Sequence, residues 1–210
     1  MSGTQSSIEA SANRSDQHAA AAATRLIQLA VKLEAGKKNH WLLFIPSESE
    51  PAVGKVIQVV GSVYTGWKLE IKDNYVYSQS RHRIQFVDLG RVPASVVVDG
   101  YVPDVGAAAV IRADDAPARD ALETLAMGLS LPHRTPNIQL PPMKSPVWRY
   151  PNLDWERCQE WTRRMIGEIV KEGYLPPSAL EAMDTGISVG QTTFAEILLE
   201  MAAEQGDGKQ

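Results

Sequence analysis

Apolar positions recur along this chain at two periods. Over 19–38, Leu26, Leu29, Ala30 and Leu33 fall at i, i+3, i+4 and i+7, the stripe of an amphipathic helix. Gly36 followed by Lys37 and Lys38 reads as its C-terminal end, where glycine relieves the backbone and cations face the helix dipole. The pattern then turns to that of strands. Residues 40–45, His-Trp-Leu-Leu-Phe-Ile, form a short apolar run stopped by Pro46, and 55–60 form a second between Gly54 and Gly61. Over 66–72, Trp67, Leu69 and Ile71 alternate with Lys68, Glu70 and Lys72, and 83–89 gives a fourth run. The connections are short and carry Gly, Pro, Ser or Asn-Asp, which predicts an antiparallel meander of at least four strands. Val96, Val97 and Val98 read as one more short strand.

Helical periods return in the second half. Over 116–131, Pro117 stands at an N1-like position and Leu122, Leu125, Ala126 and Leu129 share a face. The stretch 132–151 holds six of the thirteen prolines and reads as an extended crossing. Asp154 then offers an N-cap for a helix over 155–172, closed by Gly173, with Cys158, Trp161, Thr162, Met165 and Ile169 on one face. Short helices over 178–183 and 193–203 follow. The expected fold class is α+β: a four- or five-stranded antiparallel sheet packed against the Cys158 helix, with extra helices at both ends. Residues 1–18, polar and nearly without large apolar groups, read as a disordered tail, 19–204 as a single domain and 205–210 as a loose end.

Composition narrows the class. At 210 residues the chain can bury a core without a disulfide or metal. A single cysteine excludes an internal disulfide framework and a Cys-rich zinc module. A net charge of −4 argues against broad non-specific nucleic-acid binding. No apolar run approaches membrane-spanning length, and the polar opening residues lack the apolar stretch of a signal peptide. The expectation is a soluble, cytoplasmic protein of a reducing compartment.

Chemistry-bearing motifs are few. The chain has no P-loop, dinucleotide glycine fingerprint, His-rich metal spacing or Gly-x-Ser-x-Gly elbow. Of the four histidines, His18 lies in the tail, His82 sits in a polar turn between Arg81 and Arg83, and His133 is a loop residue beside Pro132. Cys158 falls in the first turn of a predicted helix, where unpaired N–H groups and the positive dipole end favour a thiolate below the value of an isolated thiol. On periodicity alone it reads first as a small core hydrophobe. His40 opens a strand and reads as a rim residue or, together with Cys158, as the base of a nucleophile–base pair. Gln58 interrupts an apolar strand and is either solvent-facing or a buried amide with a partner. The five tryptophans read as core and rim packing.

Asn39-His40-Trp41, the 54–66 segment and Cys158-Gln159-x-Trp161 together resemble a circularly permuted papain-like fold. This is the lecithin:retinol acyltransferase-like branch of the NlpC-type superfamily, in which the His strand precedes the Cys helix. The chain looks still more like a group of fungal proteins that pair a His-Trp strand with an Asn-Cys-Gln-x-Trp helix. It departs from them at Arg157, where their motif has Asn, and at Gln58, where the permuted enzymes commonly place a second His. The resemblance implies thiol hydrolase, acyltransferase or cyclase chemistry on an amide, ester or thioester. Cys158 would be the nucleophile, His40 the general base and Gln58 the orienting residue; apart from the resemblance, Trp148, in the Pro-rich stretch before the helix, and Trp41 are the residues expected to line the substrate. The resemblance implies an acyl or other small-molecule substrate, with no cofactor or metal. The rival readings are a non-catalytic binding protein and an interaction scaffold on the same fold.

Overall fold

The computed structural model describes residues 23–33, 39–62, 65–101, 109–112, 115–132 and 156–186. Six strands form one sheet: β1 (Thr24–Leu33), β2 (His40–Pro46), β3 (Val53–Ser62), β4 (Gly66–Val76), β5 (Arg83–Pro93) and β6 (Val110–Ile111). Their order is β5-β1-β2-β3-β4-β6, and every neighbouring pair is antiparallel. The expected meander is therefore present from β2 to β4. The expected helix over 19–38 is not, because its core is β1. The same letters carry a second period: Ile27, Leu29, Val31 and Leu33 alternate with Gln28, Ala30 and Lys32. Extended partners on both sides decide between the two readings. β1 pairs with β2 through Gln28↔Phe44 to Lys32↔His40, and with β5 from Thr24↔Pro93 to Leu33↔Arg83. Residues 94–96 make a 3-10 turn rather than part of a strand.

Three helices follow. α1 (Ala121–Gly128) is shorter than its sequence pattern suggests, and Asp120 caps it by accepting from the Glu123 N–H at 2.8 Å. Pro117 lies upstream of the helix, since the side-chain cap takes over the role expected of it. α2 (Cys158–Lys171) starts later than the sequence suggests, with Arg157 rather than Asp154 at the cap position. It stops where expected. Gly173 takes φ +75°, its N–H bonds the Val170 carbonyl at 2.9 Å, and the Tyr174 N–H bonds that of Ile169 at 3.0 Å, a Schellman closure. α3 occupies 178–186, close to its expected place. All but the first residue of the extended crossing expected over 132–151, including Trp148, the helix expected over 193–203 and both tails lie outside the described residues.

The sheet is apolar on both faces, which is why 40–45 reads as an unbroken run rather than an alternating one. On one face Ile27, Leu29, Leu43, Ile45, Ile57 and Val59 pack with Trp161, Met165, Ile166 and Ile169 of α2 and with Leu122 of α1. Fully burying such side chains stabilises the fold by about 1.5–3 kcal/mol each. On the other face Ala30, Leu42, Phe44 and Val56 lie beneath Tyr75, Tyr77, Ile84 and Phe86. The Phe44 and Tyr77 rings meet edge to face with centroids 6.0 Å apart.

Close packing makes one glycine essential. A Cβ on Gly54 would lie 2.3 Å from the Ile45 carbonyl oxygen and 2.7 Å from the Phe44 ring. Gly54→Ala must push β2 and β3 apart, and is expected to lower stability by about 1–3 kcal/mol. Denaturant unfolding checks this; an unchanged midpoint would show that the strands have slack there.

Among the described residues no helix is long and apolar enough to cross a membrane.

Candidate active site

The late start of α2 puts Cys158 at its first helical position, beside the unpaired N–H groups of the first turn. The turn is fixed from two sides. Glu160 reaches back to accept from the Arg157 N–H at 2.9 Å, one half of a capping box; an arginine side chain, having no acceptor, cannot supply the other half. The Gln159 side-chain Nε2 donates to the Asn39 carbonyl at 2.9 Å, tying the helix to the residue before β2.

A cavity of about 230 Å³ lies between the helix start and the strand ends. Arg157, Cys158 and Gln159 line it from the helix start, Asn39 and His40 from the start of β2, Gly61 from the end of β3 and Trp67 from the start of β4. Cys158 otherwise packs with Trp41 in the core beneath α2. Strand alternation gives His40 the face of Leu42 and Phe44. The two reach one cavity because His40 is the first residue of its strand.

The thiol environment corrects the expectation of a lowered pKa. Burial pushes the Cys158 thiol above its usual value, and the Glu160 carboxylate adds to the effect. The N–H groups of Trp41, Gln159 and Cys158 itself favour the thiolate without overcoming burial. At neutral pH the resting sulfur is therefore a protonated thiol that needs a base. Iodoacetamide alkylation of the native protein should keep rising at pH values above about 8.5, where an isolated thiol has half-ionised. A rate that levels off below that pH would contradict the raised thiol.

His40 has the partner proposed from sequence. Its Nε2 lies 2.8 Å from Gln58 Oε1. Gln58 is 2% exposed and shares its strand face with Val56. Register places it directly opposite Glu70 across the β3–β4 pair, and its Nε2 donates to Glu70 Oε1 at 2.6 Å. Lys72 Nζ holds the same oxygen at 2.8 Å. Burial opposes charge on Glu70, but the bonds from Lys72 and Gln58 and the charges of Lys72 and Lys68 outweigh it and hold the carboxyl below the usual range.

Other expectations fare differently. Trp41, expected to line the substrate, is 9% exposed and belongs to the core cluster beneath α2, and its backbone N–H bonds the sulfur. Trp67 lines the cavity instead. Lys68, Glu70 and Lys72 read as a solvated face in sequence, whereas the β3–β4 register sets Glu70 opposite Gln58. His82 is exposed, as its polar turn suggests. Among the described residues no three His, Cys, Asp or Glu side chains are grouped to hold a metal ion.

The described residues thus form an α+β protein with a cysteine–histidine cavity at one end of its sheet. Over residues 27–176 the chain matches a family of unknown function, DUF6540, and it belongs to that family. No curated protein and no solved structure matches it.

Proposed function

We propose that the protein performs cysteine-dependent acyl chemistry on a permuted papain-like fold: hydrolysis, transfer or cyclisation of an amide, ester or thioester through an acyl-enzyme on Cys158. The observation that carries this reading is the single cavity shared by Cys158 and His40, with the ring of His40 bonded to a buried amide at 2.8 Å. His40 Nδ1 takes the thiol proton as the sulfur attacks the acyl carbonyl carbon. The carbonyl oxygen gains the charge, and the Cys158 N–H at the helix start is one donor toward it. As the tetrahedral intermediate collapses, the bond to the leaving group breaks and the imidazolium gives that group its proton. Water or an acceptor then loses a proton to His40, attacks the thioester and releases the thiol.

The test is intact-mass analysis after exposure to activated acyl compounds, with Cys158→Ala as control. One acyl group on the native protein and none on the variant supports the reading, whereas an unmodified native protein removes it. The burial of Cys158, which raises its thiol, favours a second reading, a non-catalytic binding protein on the same fold. In that case the thiol reacts only on unfolding.

A further inference from the structure

We infer that Glu70 is a positioning residue for His40: by taking the Gln58 amide nitrogen it turns the Gln58 oxygen toward the ring and so selects the Nε2–H tautomer. The inference deepens the acyl-transfer reading and rests on it for its purpose, though not for its test.

A glutamine amide has nearly the same shape in either flip, so packing alone does not decide which end meets the histidine. The neighbour on the far side must decide. An ionised carboxylate only accepts hydrogen bonds, and Gln58 Nε2 lies 2.6 Å from Glu70 Oε1. The reverse flip would set the Gln58 oxygen against the acceptor oxygen of Glu70 in a buried site and leave it without a donor there. Gln58 Oε1 is thereby committed to His40, and only a ring nitrogen carrying hydrogen can donate to it at 2.8 Å. In the neutral ring the lone pair then belongs to Nδ1, the nitrogen a base must use.

Lys72 completes the arrangement by pairing with Glu70 and keeping it ionised. Glu70 is only 9% exposed, although strand alternation with two lysines gives it the pattern of a surface residue. A plain structural role, pairing Lys72, would also account for its burial. Such a role makes no demand on the tautomer of a histidine one residue further along the chain of bonds. The tautomer therefore separates the two.

Long-range proton–nitrogen NMR of protein with labelled histidine reads the tautomer directly above the ring's titration, with His40 assigned by its loss in His40→Gln. Wild type should be mainly Nε2–H. A wild-type ring protonated mainly at Nδ1 would overturn the inference with no variant needed. Glu70→Leu, if folded, should lower the Nε2–H to Nδ1–H ratio about fivefold, the change expected when one directed hydrogen bond is lost. Adding Gln58→Glu to that variant puts an acceptor-only group against the ring and should restore the ratio. An unchanged ratio in folded Glu70→Leu would overturn the inference. Because the resting protein is measured, the expected ratios in a protein that takes up no acyl group would retain the positioning role and discard only the chemistry.

Discussion

Replacing His40 with alanine is expected to slow acylation of Cys158 by about 10²–10⁴-fold near neutral pH, the usual worth of a positioned general base. The size of the effect follows from the thiol. Burial holds Cys158 protonated at rest, so without an imidazole only the small thiolate fraction present at that pH can attack. The deficit should shrink as pH rises, because solvent then removes the proton that His40 removes at pH 7. A defect equal at all pH values would point to lost packing instead. Rates of mass gain in wild type and His40→Ala across pH 6–10 give the comparison, and matching neutral-pH rates would take His40 out of the role. Gln58→Ala should cost less, since a neutral amide orients the ring without offering the imidazolium a charge.

The largest stability effect is expected far from the cavity. Lys55 is completely buried, with its ammonium between Asp120 and Glu123, the latter at 2.7 Å. Arg112 also pairs with Glu123, and Arg119 joins Glu123 at 3.1 Å to Asp73 at 2.7 Å. Removing one partner of a buried pair strands the other charge at a cost of about 3–5 kcal/mol. Glu123→Ala should therefore lower the melting temperature by roughly 6–20 °C, at about 2–4 °C per kcal/mol for a chain of this size. A drop of only a degree or two would mean that water or a rearranged Asp120 compensates. The network also sets an acid limit. Burial opposes charge on Glu123, but the bonds from Lys55, the Arg119 N–H and Arg112 hold its carboxyl at about 2, against 4.5 for an unperturbed glutamate. Its folded pKa is depressed, so its contribution is full above pH 4.5 and is lost as pH falls toward 2. Acid unfolding of Glu123→Gln should be less steep over that interval.

The parts of this molecule legible from sequence are those where one physical signal acted alone. The strands over 40–46 and 66–76 and the end of α2 each had such a signal: an apolar run, strict alternation and a glycine able to adopt positive φ. β1 carries two periods at once, and its pairing with β2 and β5 selects the extended one, information that lies in other parts of the chain. The start of α2 is not legible because Asp154 is the better cap by side chain, whereas the helix begins where Gln159 can reach Asn39. The His40–Gln58 contact could be reasoned out, since a polar residue in an apolar strand needs a partner. Glu70 could not be found that way, because its local pattern is that of a solvated strand and its burial depends on register with β3. The thiol shift is hidden for a related reason: the helix terminus is visible in sequence, but the burial that outweighs it is tertiary.

The tie between Gln159 and Asn39 joins residues 120 positions apart. Contacts of such long range are late and slow to form, because much chain must be ordered before they contribute. As synthesis proceeds, β1 to β4 can zip together while the helix that covers them has not yet been made. Lys55 likewise waits for a partner 68 residues downstream. The nascent sheet therefore shows an apolar face, a surface that chaperones recognise and that promotes aggregation. The cysteine and histidine come together only once α2 is in place, so a chain halted before α2 has no cavity in which to react.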